Sequence, residues 1–332
     1  MKKIFSGCLG VLLLCLSFVA TVSVAADREH YKVLVVFSYE ENAPWDVDIR
    51  EEIEKTLSPY ADITFFYMDT KTSLQGGPKK AAEAFALYNH LHPDGVIAVD
   101  DNAQSMFVVP YLRGKVTTPI MFCGVNADPE LYGYPTENIS GILERFHLEE
   151  SMMFSRQLIK KIDTFAFMVK KGPVAALLAK QLEQDKKHIS ARLVRFMTPE
   201  TMEEAITMTR EARKDVDLLF LVGLWGLNQD GSPLVEGEII PRLIAEFDKP
   251  TSGIAASAVR VGVLSAVITN GREHGYRASS MLLKAMRGTP VSQLPMTCNS
   301  HGKRMINVST LKKLNITPDT LVLRGAELVK TR

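Results

Sequence analysis

The chain has 332 residues, 46% of them hydrophobic and 23% charged, with 39 Lys and Arg against 38 Asp and Glu. A formal charge of +1 excludes the basic excess that nucleic acid or an anionic lipid surface demands, and the length suits about two domains of ordinary size. Four cysteines are too few for a disulfide scaffold or a multi-cysteine metal site.

Residues 1–26 have the three parts of a cleavable signal peptide: Lys2 and Lys3, an apolar run from Ile4 to Val19, and small residues at Val24-Ala25-Ala26. The strongly apolar stretch is short for a membrane span, and Asp27-Arg28-Glu29 is no stop-transfer flank. Cys8 lies too early and Cys15 follows bulky Leu14, which argues against a lipoprotein. Removing the leader takes Lys2 and Lys3, moving the charge from +1 to −1, and leaves Cys123 and Cys298. These two are either free thiols or one bridge. The address implied is the periplasm.

After the leader, short β-rich runs alternate with amphipathic stretches. Lys32 to Phe37, apolar on both faces, reads as a central parallel strand. A helix over Asp46 to Leu57, a strand at Ile63 to Tyr67, a helix over Pro78 to Leu91 and a strand at Gly95 to Val99 follow. Ala103 to Leu112 reads as a helix and Thr118 to Cys123 as a fourth strand. The rhythm then restarts. Helices are expected at Leu148 to Ile162, Val174 to Lys186, Pro199 to Lys214 and Glu236 to Phe247, with strands at Phe165 to Val169, Ala191 to Arg195, Leu218 to Val222 and Thr251 to Ile254. A strand at Val263 to Ile268 and a helix over Arg272 to Arg287 precede the tail.

Two such series predict an α/β protein of two Rossmann-like lobes with parallel sheets. The boundaries expected are 31–145 for the N-terminal lobe, 146–269 for the C-terminal lobe, and 270–332 returning to the N-terminal lobe. No low-complexity linker interrupts the chain, so a few short crossings join the lobes.

Certain segments resemble a known family. They are Ser38-Tyr39 with Pro44-Trp45, Asp101-Asn102-Ala103, Gly124 through Pro129, Gly262-Val263 through Gly275, and Ile306-Asn307-Val308 through Pro318. In order and spacing they resemble the ABC-transporter substrate-binding proteins of the type I periplasmic-binding-protein fold, which include aromatic-amino-acid binders. The resemblance implies two lobes joined by a three-crossing hinge that close on a small molecule, aromatic or heterocyclic, and dock on an ABC permease in the inner membrane.

In an open parallel sheet, ligands sit in the crevice outside the carboxyl ends of the strands, where helix N-termini point N–H groups. That places Ser38 and Tyr39 after the first strand, Asp101 and Asn102 after the third, and Asn126 after the fourth as ligand-binding candidates. Across the cleft, Trp225 between two glycines is a candidate stacking residue, and Asn270 stands at a crossing. Each has a structural alternative: turn chemistry for Ser38, and a helix N-cap for Asp101 or Asn102 and for Asn270. Trp45 reads as a lid residue or as a staple for the following helix.

No G-x-S-x-G elbow and no Walker A sequence occurs, so no catalytic residue is assigned. His90 and His92 face opposite sides of a helix, and His147 with Glu149 and Glu150 reads as a solvated helix start. No metal and no cofactor are expected, nor is nucleic acid a partner, and the chain is expected to be a monomer. The function expected is an exported solute-binding protein serving an ABC importer. The alternatives are a periplasmic sensory protein signalling to a membrane receptor or sensor kinase, and an enzyme using Asp100, Asp101 or Asp128.

Overall fold

A computed structural model of the chain describes residues 30–331. The signal-peptide reading falls on residues outside these. Among the described residues fifteen strands form two large sheets and one small hairpin.

The first sheet takes β1 (Tyr31–Phe37), β2 (Ala61–Tyr67), β3 (Gly95–Val99), β4 (Ile120–Val125) and β5 (Ile139–Leu143). Between these strands lie α1 (Pro44–Leu57), α2 (Gly77–Leu91) and the short α3 (Asp100–Ala103). The second region begins with α4 (Leu148–Leu158), β6 (Thr164–Val169), α5 (Pro173–Asp185), β7 (Arg192–Met197), α6 (Met202–Asp215) and β8 (Leu218–Val222). A hairpin of β9 (Asn228–Gln229) and β10 (Ser232–Pro233) leads into α7 (Glu236–Phe247), β11 (Thr251–Gly253), α8 (Ala256–Arg260) and β12 (Ser265–Ile268). Then come α9 (Gly271–Met286), β13 (Thr297–Cys298), β14 (Lys303–Asn307), α10 (Val308–Lys313), α11 (Thr320–Arg324) and β15 (Glu327–Val329).

The first sheet has the order β13-β5-β4-β3-β1-β2, and every pair is parallel. The second has the order β15-β14-β12-β11-β8-β6-β7, parallel except where β14 meets β12. Both sheets therefore contain the doubly wound order 2-1-3-4-5, which reverses direction between its first and third strands. Buried runs such as Val33 to Phe37 and Leu218 to Val222 are apolar on both faces because helices cover both sides of each sheet.

Three departures from the expected elements bear on the architecture of the lobes. Gln104–Leu112 is wound as a π-helix and not an α-helix, with Pro110, which has no N–H for the helical ladder, inside it. The strand β5 has no clear apolar signature, since Gly141 sits mid-strand where a Cβ would fall 2.1 Å from the Phe122 carbonyl. The expected return of residues 270–332 to the first lobe is corrected in its second half. Helix α9 and β13 join the first sheet's lobe, but β14 and β15 extend the second sheet. The reason is apolar: Ile306 and Leu311 bury against Phe154, Leu158, Leu264 and Val267, covering what would be an open edge at β12.

The chain passes between the sheets three times, at residues 144–147, 269–270 and 299–302. Side chains tie the crossings together. The Asn299 amide accepts from the Arg145 N–H at 2.6 Å, donates to the Arg145 carbonyl at 3.0 Å, and meets His147 Nε2 at 3.0 Å. The Glu273 carboxylate accepts from the N–H groups of Ser300 and His301. His147 is buried in this hinge, not at a solvated helix start.

Candidate functional site

The switch point of the first sheet lies between β1 and β3, and its two strand ends are bonded to each other. Ser38 is fully buried; its hydroxyl donates to the Val99 carbonyl at 2.6 Å and accepts from the Ala103 N–H at 2.8 Å. Turn chemistry is therefore what Ser38 supplies: it locks β1 to β3 and takes up an N–H of the short α3. Neither Asp101 nor Asn102 caps that helix with its side chain.

Both are freed for other work. Asp101 accepts from the N–H groups of Asn126 (3.1 Å) and Ala127 (3.2 Å) and from the Tyr132 hydroxyl (2.8 Å). Asn102 donates to the Thr70 hydroxyl at 2.9 Å. The Asn126 amide donates to the Gly124 carbonyl and, at 2.9 Å, to Glu144. The structure thus brings Tyr39, Asp101, Asn102 and Asn126 to one crevice edge. Tyr39 is half-buried beneath the Lys71 ammonium, 4.0 Å from its ring centroid. Burial, with the carboxylates of Asp100, Asp101, Asp46 and Glu144, pushes its hydroxyl far above the usual range.

Four further residues contribute: Asp46 and Glu144, which the sequence does not single out, Trp45, expected as a lid residue or a staple, and Asp100, expected only as a carboxylate of the enzyme alternative. Trp45 lies in the first turn of α1 and donates its indole N–H to Asp100 Oδ1 at 3.1 Å. Its ring meets His274 edge-on at 5.2 Å. It is therefore a floor residue of the crevice. Asp100 is 3% exposed with φ +65°, a left-handed conformation that aspartate adopts more readily than most residues. Gly124, at φ +71°, makes this possible, because a Cβ there would stand 2.6 Å from Asp100 Oδ1. Burial raises the Asp100 carboxyl well above the carboxylate range, and Asp46 and Glu144 add to the effect.

Asp46 is 1% exposed, and burial pushes its carboxyl up to about 7 despite the opposing Lys71. Glu144 is likewise raised to about 7 by burial, against the hydrogen bonds from Asn126 and Thr269. A helix-start or crossing carboxylate is common in any sequence. Only the spacing Asp100-Asp101 at a strand end hinted at this concentration.

A cavity of about 210 Å³ adjoins this edge and is shared between the lobes. Asn126, Glu144 and Arg145 line one side; Leu177, Lys180 and Gln181 of α5 line the other. Lys180 also forms an ion pair with Asp128, which caps the turn at Pro129. On the second sheet, the switch point lies between β6 and β8. Trp225 stands there 67% exposed, with Lys170 at 5.9 Å from its ring. Asn270 caps α9 by accepting from the Arg272 N–H at 3.0 Å. Cys123 is buried and Cys298 exposed, and both are free. Among the described residues no group of His, Cys, Asp and Glu is placed to hold a metal ion, and no helix is long and apolar enough to cross a membrane.

The family model for the ABC transporter substrate binding protein matches residues 115–330, well over half of the chain. The chain belongs to that family. The match leaves out the segment from β1 to α3, which holds Tyr39, Trp45, Asp46 and Asp100, and includes Asn126 and Glu144 of the same crevice. No curated protein sequence matches the chain.

Solved structures share the fold at low identity. CD0873 from Clostridium difficile, a substrate binding protein in its ligand-free, open structure, is 17% identical with a TM-score of 0.70, over 91% of this chain and 100% of that one. An ABC domain in complex with L-Trp from Streptococcus pneumonia is 18% identical with a TM-score of 0.58, over 90% and 99%. The periplasmic ribose ABC transporter protein from Conexibacter woesei is 16% identical with a TM-score of 0.54, over 90% and 98%. The family's fold is the type I periplasmic-binding-protein architecture of two lobes.

Proposed function

We propose that the chain is an exported solute-binding protein that takes one small molecule between its lobes and delivers it to an ABC permease in the inner membrane. The observation that carries this reading is the cavity shared by Glu144 and Asn126 on one lobe and Lys180 and Gln181 on the other, beside the β1/β3 switch point. Its volume of about 210 Å³ lies below the roughly 300–1,000 Å³ of drug-sized sites, which favours a single metabolite. Tyr39, Trp45 and Trp225 suit an aromatic or heterocyclic body, and the L-Trp complex of a relative is consistent with that. The leader supports a periplasmic address, and family membership supports the permease as partner.

In this reading residues 30–143 with α9 and β13 move as one unit. Residues 148–268 with β14 to β15 move as the other, about the three tied crossings. The test is thermal melting of the purified protein against amino acids, nucleobases, vitamins and organic acids. Binding to the native state alone raises the melting temperature by mass action. Absence of any shift across the whole panel sinks the proposal.

A second reading, sensing, is favoured by one relative: the XylFII–LytSN complex, 13% identical with a TM-score of 0.55, in which a chain of this fold pairs with another protein. Deleting the permease separates the two. Lost uptake supports delivery, and intact uptake with lost signalling supports sensing.

A further inference from the structure

Resting on the binding reading above, the geometry points to a ligand that carries a positively charged nitrogen, held by Asp46 and Asp100 with Glu144 at the cavity wall. Both oxygens of Asp46, and Oδ2 of Asp100, have no hydrogen-bond partner among the described residues, although both side chains are almost wholly buried. A buried carboxylate without a partner costs free energy that folding must recover elsewhere, so such groups are kept where a ligand completes them.

The neighbouring polar groups are already committed. Asp101 is saturated by two backbone N–H groups and the Tyr132 hydroxyl. The Arg145 guanidinium spends itself on the carbonyls of Val125, Asn126 and Glu144, leaving it no role as counter-ion to Asp46 or Asp100. Lys71 faces Asp46 but sits over the Tyr39 ring. Trp45 supplies Asp100 with one donor and no charge. The crevice therefore presents Asp46, Asp100, Asp101 and Glu144 around Tyr39, with Lys71 exposed at its margin and Lys180, across the cavity, paired with Asp128.

A free metal ion does not answer this need, because no three of these carboxylates converge as ligands. An organic ammonium or amidinium does. Its several N–H donors reach carboxylates spread along the crevice, and its carbon skeleton lies against Tyr39 and Trp45, where cation–π attraction adds to the ion pairs.

The test uses matched probes of equal shape and different charge. They are tryptamine, tryptophol and indole-3-propionate; phenethylamine, 2-phenylethanol and hydrocinnamate; and butylamine, butanol and butyrate, with calcium chloride as a metal control. Thermal shift and calorimetry on the full mature chain should show binding by ammonium members alone. Asp46→Asn and Asp100→Asn should each weaken it by about 30-fold or more, as truncating one partner of a buried charge pair does. Circular dichroism checks that both variants fold, and Glu144→Gln serves if one does not. Binding by neutral or anionic members as tight as by the amines, or stabilisation by calcium alone, overturns the charge assignment and leaves the solute-binding reading standing. Silence from every probe here and from the broad metabolite panel overturns both.

Discussion

The crevice edges of the two lobes differ, although both sheets share one strand order. The first lobe gathers Tyr39, Trp45, Asp46, Asp100, Asp101, Asn126 and Glu144 at its crevice edge; Asp46 and Asp100 are buried, the others half-buried, and hydrogen bonds join Trp45 to Asp100, Asn126 to Asp101 and Asn126 to Glu144. It carries strain there too, in the left-handed Asp100 and the crowded Gly124. The second lobe offers Lys170, Gly223 and an exposed Trp225, with no buried carboxylate in the loops after β6 and β8. Equal topology thus carries unequal chemistry. One edge is organised in advance at an energetic cost, as a binding site is, and the other is an open rim suited to closing over what the first edge holds.

The largest expected effect compares two left-handed glycines at strand ends, Gly124 in β4 of the first sheet and Gly223 after β8 of the second. Gly124→Ala adds a left-handed penalty of about 1–2 kcal/mol to a clash with Asp100 costing about 1–3 kcal/mol. Gly223→Ala meets only Val174 at an ordinary 3.6 Å, so the conformational penalty of about 1–2 kcal/mol stands alone. Urea midpoints decide it; equal losses would show that the first edge is no more tightly packed than the second.

The next comparison uses pH. Asp46, raised from 3.8 to about 7, and Glu144, raised from 4.5 to about 7, keep protons in the native state that the unfolded chain has released. Each therefore loses stabilising effect as pH climbs from about 4 to about 7. Burial pulls His274 down from 6.5 to about 4, and its contribution has the opposite sign, rising with pH from about 4 to about 6.5. Asp46→Asn removes one falling contribution, so its melting temperature relative to wild type should be lowest near pH 4 and highest above pH 7. A difference independent of pH would mean that Asp46 is ionised in the native state throughout.

Trp45→Phe keeps an aromatic ring and deletes the donor to the Asp100 carboxylate, which should cost about 1–3 kcal/mol because a buried acceptor is stranded. Trp225→Ala should change stability by no more than about 0.5 kcal/mol, as for most exposed sites, while weakening ligand binding. Tyr39→Ala should also weaken binding with the fold intact. Wild-type affinity in both would place the ligand away from these loops. The smallest effect belongs to Lys180→Gln. Its pair with Asp128 is half-exposed, and its loss should shift unfolding by under about 1 kcal/mol.

Much of the frame was legible. Apolar runs such as Lys32 to Phe37 and Leu218 to Val222 read as central parallel strands, and strand–helix alternation reads as parallel sheets covered by helices. Tyr39, Asp101, Asn102 and Asn126 follow strands, so their place at the crevice edge came with the strand ends. Asp46 and Glu144 did not stand out, because a carboxylate at a helix start or between elements has an ordinary solvated explanation in any sequence. Their meaning depends on Gly124, distant in the chain, leaving room for Asp100. Ser38 was ambiguous for a similar reason, since its bond to Val99 spans 61 residues.

Period and order along the chain are local properties, written in residues two to four apart, and they determined the class of fold and the strand ends that bear the crevice. Burial and hydrogen-bond pairing are not local. Which carboxylates are stranded without partners, which strands the tail joins, and which residues tie the three crossings were decided only when distant segments packed together. The physical reason is that the cost of a buried charge is set by what surrounds it in space, and neighbours in sequence are a small part of that surrounding.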